Sequence, residues 1–248
     1  MKKKWSKSNC FWCVQNKMDM ENFIDSFAYQ NSAKHSLNMN ETKVCKKMKY
    51  DENVFYDLNT SNLHAPNVLV FDTETASLSG SVIQLGYLIS DCCGNIIESY
   101  CEYLKLDDEE IDPGSERIHK ISKHTLEKKG KEAGIEIDRF IRICTHAVMN
   151  NCRVIAHNSR FDVSRINFTA EKYGIQKHLD VRDTFCTMKN ATPRCGLLKV
   201  DGKTKQPTNA ELYRILMKKD PPENLHDALE DCKVTLKSYV EGCVQGWW

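Results

Sequence analysis

Short apolar runs and helical periods alternate along the chain from residue 68 onward, whereas the stretch up to about residue 64 carries little period of either kind. Residues 68–71 (VLVF) form a β-branched apolar run, the mark of an inner strand covered on both faces. A second strand is predicted over 82–89 and a third over 96–104, with the turn signal Cys93-Gly94-Asn95 between them. Short links between the three imply an antiparallel meander. Residues 107–112 read as an acidic loop ending at Pro113-Gly114. Helices follow over 122–131 and 135–148, the latter with Ile137, Phe140, Ile141, Cys144 and Val148 near 3.6-residue spacing. Strand four is predicted at 153–156, a helix over 161–173 ended by Gly174, and strand five over 181–186. Thr208-Asn-Ala-Glu211 reads as a capping box opening a helix through residue 217, and a last helix runs from about 225 to 242.

The 248 residues suit one large domain, or one domain with an appendage. Residues 1–64 hold ten lysines against seven acids and are rich in Asn, Ser and Met; they read as an N-terminal extension, partly disordered, with one short helix around 20–29. Over the whole chain the net charge is only +1, so any nucleic-acid affinity is expected to be local. Twelve cysteines scattered through a globular pattern read as reduced thiols in a cytoplasmic or nuclear protein. No apolar h-region follows the basic start MKKKWSK, which argues against secretion, and no run approaches membrane-spanning length. Cys10 and Cys13 have metal-ligand spacing, but His35, Cys45 and His64 are irregularly placed for a second pair of zinc ligands.

Candidate chemistry begins where the first strand ends. Asp72 and Glu74 are two residues apart, so on a strand both carboxylates project to the same face. Alone they repel, and a divalent cation would use both. By itself the pair also fits a strand-closing turn. Asp162, in His157-Asn-Ser-Arg-Phe-Asp162, falls near a helix start, where an acid stabilises the dipole by less than about 1 kcal/mol. His226-Asp-Ala-Leu-Glu-Asp231 falls in the last helix, where each side chain alone could be solvated.

Taken in order, FDTETASL, HNSRFD and HDALEDCKVT resemble the three motifs of the DEDDh 3′→5′ exonucleases, the DnaQ-like, polymerase-proofreading type of the ribonuclease H-like superfamily. The five-residue step from His226 to Asp231 matches the His subclass, and Arg117-Ile-His-Lys-Ile-Ser122 resembles the family's I-H-G-I-T segment. The resemblance covers about residues 66–240. It implies an α/β, ribonuclease H-like domain over 65–248: a mixed five-stranded sheet with helices on both faces.

The same resemblance implies a site. Asp72, Glu74, Asp162 and Asp231 would hold two Mg²⁺ or Mn²⁺ ions, with Asp72 shared between them, and His226 would act as general base. Thr75, Leu78, His119 and Phe161 would contact the 3′-terminal nucleotide. The implied activity is removal of nucleotides from free 3′ ends, with single-stranded DNA preferred because D-T-E-T resembles proofreaders more than RNA-trimming relatives. An exoribonuclease and a catalytically silent nucleic-acid-binding module on the same fold are the competing readings. The extension could dock the domain onto a polymerase or other replication or repair partner. Five positions depart from the common pattern: Ala76 and Ser77, Gln84 where proofreaders often carry Glu, Lys120 in place of Gly, and Gly114 where some relatives carry an acid. They bear on strand preference rather than on the five catalytic positions.

Overall fold

The apolar run at residue 68 becomes the middle of a five-stranded sheet because it can be buried on both faces. A computed structural model describes residues 61–65 and 67–248. Residues 1–60, with Cys10, Cys13 and the short helix expected around 20–29, lie outside the described residues. The sheet runs in the order β3-β2-β1-β4-β5. Its strands are β1 (Val68–Thr75), β2 (Val82–Ser90), β3 (Ile96–Tyr103), β4 (Arg153–Ala156) and β5 (Thr184–Cys186). The first three pair antiparallel, and β4 and β5 run parallel to β1. The fold is the expected mixed α/β one.

Seven helices are found among the described residues: α1 (Pro113–His119), α2 (Lys123–Lys129), α3 (Ala133–Met149), α4 (Ser159–Lys172), α5 (Thr187–Cys195), α6 (Asn209–Met217) and α7 (Ala228–Val244). The two-residue period of the strands divides the core between two helical layers. Leu69 and Phe71 of β1 join Leu85, Tyr87 and Ile89 of β2 against Ile137, Phe140 and Ile141 of α3 and Ile166 of α4. Val68 and Val70 face the other way, with Leu88 and Ile155, against Cys232, Leu236 and Tyr239 of α7. Each large side chain so buried stabilises the fold by about 1.5–3 kcal/mol. Leu63, at the end of the expected extension, is buried in the first of these clusters.

Several boundaries differ from those read in the sequence. β1 does not stop at Phe71; it continues through the acids to Thr75, paired to β2 throughout. The expected loop end at Pro113-Gly114 is instead the start of α1, because the Asp112 side chain accepts the Ser115 N–H at 3.0 Å and Pro113 suits the first helical turn. Residues 187–195, for which no element was expected, form α5; its internal Pro193 and a cysteine at the N-cap disguise it. Only 184–186 of the fifth strand is extended, since 181–183 coil into a 3₁₀ turn. The last helix starts at Ala228 with Asp227 as its N-cap, so His226 precedes the helix rather than lying within it.

Candidate active site

The even positions of β1 carry the apolar face toward α7 and then, at the strand's end, Asp72 and Glu74. Both therefore emerge on the α7 side at the carboxyl end of the strand. A register shift between Glu74 and Thr75 ends the regular ladder just past the second acid. β4 lies parallel to β1, so the turn after it delivers α4 to the same edge. Asn158 makes that turn in the left-handed region (φ 68°), a conformation Asn tolerates better than most residues. Asp162 then falls in the first turn of α4, buried, and accepts the Thr73 hydroxyl at 2.9 Å.

The fourth acid comes from α7. Asp231 accepts the backbone N–H of His226 at 2.6 Å, which ties the histidine to the helix it precedes. His226 itself takes φ 72° and is exposed. A carboxylate oxygen of Glu74, one of Asp231 and a ring nitrogen of His226 lie within 4.8 Å of one another. The structure thus gathers the five expected catalytic positions from three elements.

These acids are strongly perturbed. Burial, then the charges of Asp162, Asp231, Glu74 and Asp227, holds the Asp72 carboxyl well above the usual carboxylate range, although an edge of the side chain stays open to solvent. Burial and the neighbouring Asp231, Asp162 and Asp227 push Glu74 up to about 8. Burial raises Asp162 to about 7 against the opposing Thr73 hydrogen bond. Asp231 is raised by burial too, while the His226 N–H and the Asn209 amide pull it back. Such mutual repulsion is what a divalent cation relieves, and a hard-oxygen donor set of this kind fits Mg²⁺ or Mn²⁺.

The expected substrate contacts fall in different settings. Thr75 is buried at the end of β1, and Leu78, on the turn beyond it, is 84% exposed, so its side chain is not part of the core. His119 is buried at the end of α1, a helix whose start is tied to the end of β1 by the Asp112 N–H donating to the Ala76 carbonyl at 2.7 Å. Its Nδ1 accepts the Ile121 N–H at 3.0 Å, while its Nε2 is buried without a hydrogen-bond partner. Burial lowers its pKa; Glu116 and the nearby Thr75 backbone oppose this, and His226 adds to it. Phe161 is half-buried beside Asp162.

Three supporting residues were not read as such in the sequence. Gln84 lies opposite Glu74 on β2; its Nε2 donates to Asp227 Oδ2 at 2.9 Å and its Oε1 accepts the Ala228 N–H at 3.1 Å, gripping the start of α7. Gly86 pairs with Asp72, and a Cβ there would sit 2.6 Å from the Ala228 carbonyl carbon and 2.7 Å from the Leu229 nitrogen. The bare glycine lets α7 cross the strand at backbone distance. His157 is no acid–base candidate: burial lowers it to about 4, so it stays neutral, its Nε2 donating to the Pro207 carbonyl at 3.0 Å and its Nδ1 facing the Thr187 hydroxyl at 2.9 Å.

An α/β protein with a carboxylate-rich candidate metal site at the carboxyl ends of its central strands is the class this geometry defines. The chain belongs to the exonuclease family RNase_T, whose family profile matches residues 69–239; its fold is of the DnaQ-like type in the ribonuclease H-like superfamily. Among solved structures it is similar to E. coli exonuclease I in complex with a dA16 oligonucleotide (19% identity, TM-score 0.55, covering 71% of this chain and 40% of that one). It is also similar to exonuclease X in complex with 5′ overhanging duplex DNA (20%, 0.50, 73% and 94%). A third is the moderately thermophilic exonuclease I of Methylocaldum szegediense (16%, 0.55, 71% and 40%). The chain thus spans about 40% of the length of the exonuclease I structures it matches. No curated protein matches it by sequence. Membership in this family implies dependence on a divalent metal. Among the described residues no helix is long and apolar enough to cross a membrane.

Proposed function

We propose that the domain over residues 65–248 is a 3′→5′ exonuclease that hydrolyses phosphodiester bonds at free 3′ ends, releasing nucleoside 5′-monophosphates, with single-stranded DNA preferred. The observation that carries this reading is the convergence of Asp72, Glu74, Asp162 and Asp231, coupled by charge, with a ring nitrogen of His226 beside the Glu74 and Asp231 oxygens. The four carboxylates would hold two Mg²⁺ or Mn²⁺ ions, Asp72 being shared between them. Bound ions supply the charge that neutralises the scissile phosphate and makes water acidic enough to ionise.

The chain's own residues do the rest. His226, exposed and held by its backbone rather than its ring, can accept the proton of the attacking water. Thr75, at the end of β1, would offer its backbone N–H to a terminal 3′-hydroxyl, and Leu78, its side chain free of the core, would meet the terminal base. Phe161 and His119 would contact the same terminal nucleotide. The oligonucleotide and overhanging duplex bound by the similar exonucleases I and X favour DNA as the substrate class. Residues 1–64 would serve as an extension docking the domain to a polymerase or repair partner inside the cell.

The test is digestion of 5′-labelled single-stranded DNA, double-stranded DNA and single-stranded RNA in Mg²⁺ or Mn²⁺, with Asp72→Ala as control. A 3′-shortening ladder strongest on single-stranded DNA and absent in the control is expected. A faster ladder on RNA would replace the DNA reading with the exoribonuclease one. Metal binding without any shortening would leave a silent nucleic-acid-binding module.

A further inference from the structure

Asp231 has a second restraint that belongs to none of the motif residues. Asn209, the first residue of α6, donates from Nδ2 to Asp231 Oδ1 at 3.0 Å and to the Asp231 carbonyl at 3.2 Å. The other carboxylate oxygen, Oδ2, takes the His226 N–H. The amide of Asn209 is itself oriented, because the Thr235 hydroxyl, 1% exposed and one turn after Asp231 on α7, donates to its Oδ1 at 3.3 Å. Asn209 therefore bridges two successive turns of α7 and, with the His226 N–H, gives each Asp231 carboxylate oxygen a hydrogen-bond donor.

Its own backbone is fixed from three directions. Thr208 and Glu211 close a capping box around the start of α6. Leu212 and Leu216 of that helix pack with Ala191 of α5. The neutral His157, on the turn that leads into α4 and Asp162, donates to the Pro207 carbonyl two residues earlier. The segment 207–209 thus connects the turn that delivers Asp162 to the carboxylate of Asp231. A donor built on a helix start and held by hydrogen bonds positions its partner more tightly than a loop residue does.

We propose that Asn209 is a positioning residue that presets the Asp231 carboxylate for a divalent ion, so that metal affinity depends on a side chain outside the three acidic motifs. This rests on the reading of Asp231 as a metal ligand. Partners of this kind, one step removed from the ion, typically change metal affinity or activity by about 10–100-fold when lost.

The experiment measures Mn²⁺ binding to the full chain by electron paramagnetic resonance, together with the Mg²⁺ dependence of hydrolysis, for wild type, Asn209→Ala, Thr235→Val and an Asp231→Asn control. Asn209→Ala is expected to weaken Mn²⁺ binding about 10–100-fold and to raise the half-saturating Mg²⁺ in proportion. The KM for oligonucleotide at saturating metal should stay unchanged. Thr235→Val, which removes only the restraint on the amide, should shift both in the same direction by less. Wild-type metal affinity in Asn209→Ala would overturn the proposal. So would a loss of activity that tracks a fall in metal-free melting temperature while half-saturating Mg²⁺ stays fixed. A wild type that binds Mn²⁺ through Asp231 yet shortens no nucleic acid would sink the exonuclease reading and leave the role of Asn209 standing. A wild type that binds no Mn²⁺ would sink both.

Discussion

The two halves of the site are held in opposite ways. Asp72 and Glu74 stand on a strand paired on one side to β2 along its whole length and on the other to β4, so the ladder that forms the sheet also aims the acids. Asp231 and His226 stand at the start of a helix, and neither is aimed by the helix alone. His226 lies outside it in the left-handed region, and the approach of α7 depends on Gln84, Asn209 and the missing side chain at Gly86. A motif carried by a central strand positions itself; one carried by a helix start is positioned by residues elsewhere in the chain.

Side-chain loss should separate the halves first. Asp72→Ala is expected to abolish turnover with the fold intact, whereas His226→Ala should retain residual activity, down about 10²–10⁴-fold, because only proton transfer is lost. Steady-state rates with circular dichroism as the folding check would measure the difference; near-wild-type turnover in either variant would break the assignment.

Gly86→Ala should damage only the helical half. Its Cβ meets α7 backbone, which cannot swing aside as a side chain would, so helix and strand must separate. Overpacking of this kind costs about 1–3 kcal/mol, and displacement of His226 and Asp231 should lower activity by a further factor beyond the unfolded fraction. A melting curve and a rate on the same sample would distinguish the two; full activity would mean that α7 tolerates the shift.

Metal and pH should sharpen the comparison from the other side. Glu74 near 8 and Asp162 near 7 have folded pKa values above those of the unfolded chain. Their stabilising contribution is present at low pH and is lost as pH rises through those values, since the native state binds more protons than the unfolded one. His157, lowered to about 4, acts in the opposite sense, but only below the ordinary histidine value. Between pH 6.5 and 8.5 the metal-free protein should therefore lose melting temperature, and added Mg²⁺ should restore more at 8.5 than at 6.5. A metal-induced rise independent of pH would contradict the charge account.

The smallest effect concerns the end of α1, just after His119. Lys120 caps α1 at φ 59°, a conformation costing a side-chain-bearing residue about 1 kcal/mol or more. Lys120→Gly should raise stability by about 0.5 kcal/mol once glycine's own entropy is counted. A melting temperature at or below wild type would show that the lysine makes a compensating contact.

Much of this was legible in the sequence, for reasons that vary by element. The i, i+2 spacing of Asp72 and Glu74 after an apolar run sets their common face, and Thr208 with Glu211 marks the start of α6. The Gly-to-Lys departure at 120 becomes readable only with the left-handed cap in view. α5 escaped because Pro193 sits inside it, and α1 because Gly114 masks the Asp112-Pro113 start signal. Gln84, Gly86 and Asn209 carry no local pattern at all: their partners on α7 are 22 or more residues away in the chain, and only the packing of α7 on β2 and α6 reveals what they hold.

The most direct test of the central claim is a single time course: 5′-labelled single-stranded DNA with a free or a blocked 3′ end, in Mg²⁺, before and after chelation. The account predicts a ladder shortening from the free 3′ end, none on the blocked strand, and complete loss on chelation with recovery when Mg²⁺ returns. Equal cleavage of free and blocked strands, or shortening that survives chelation, would contradict it.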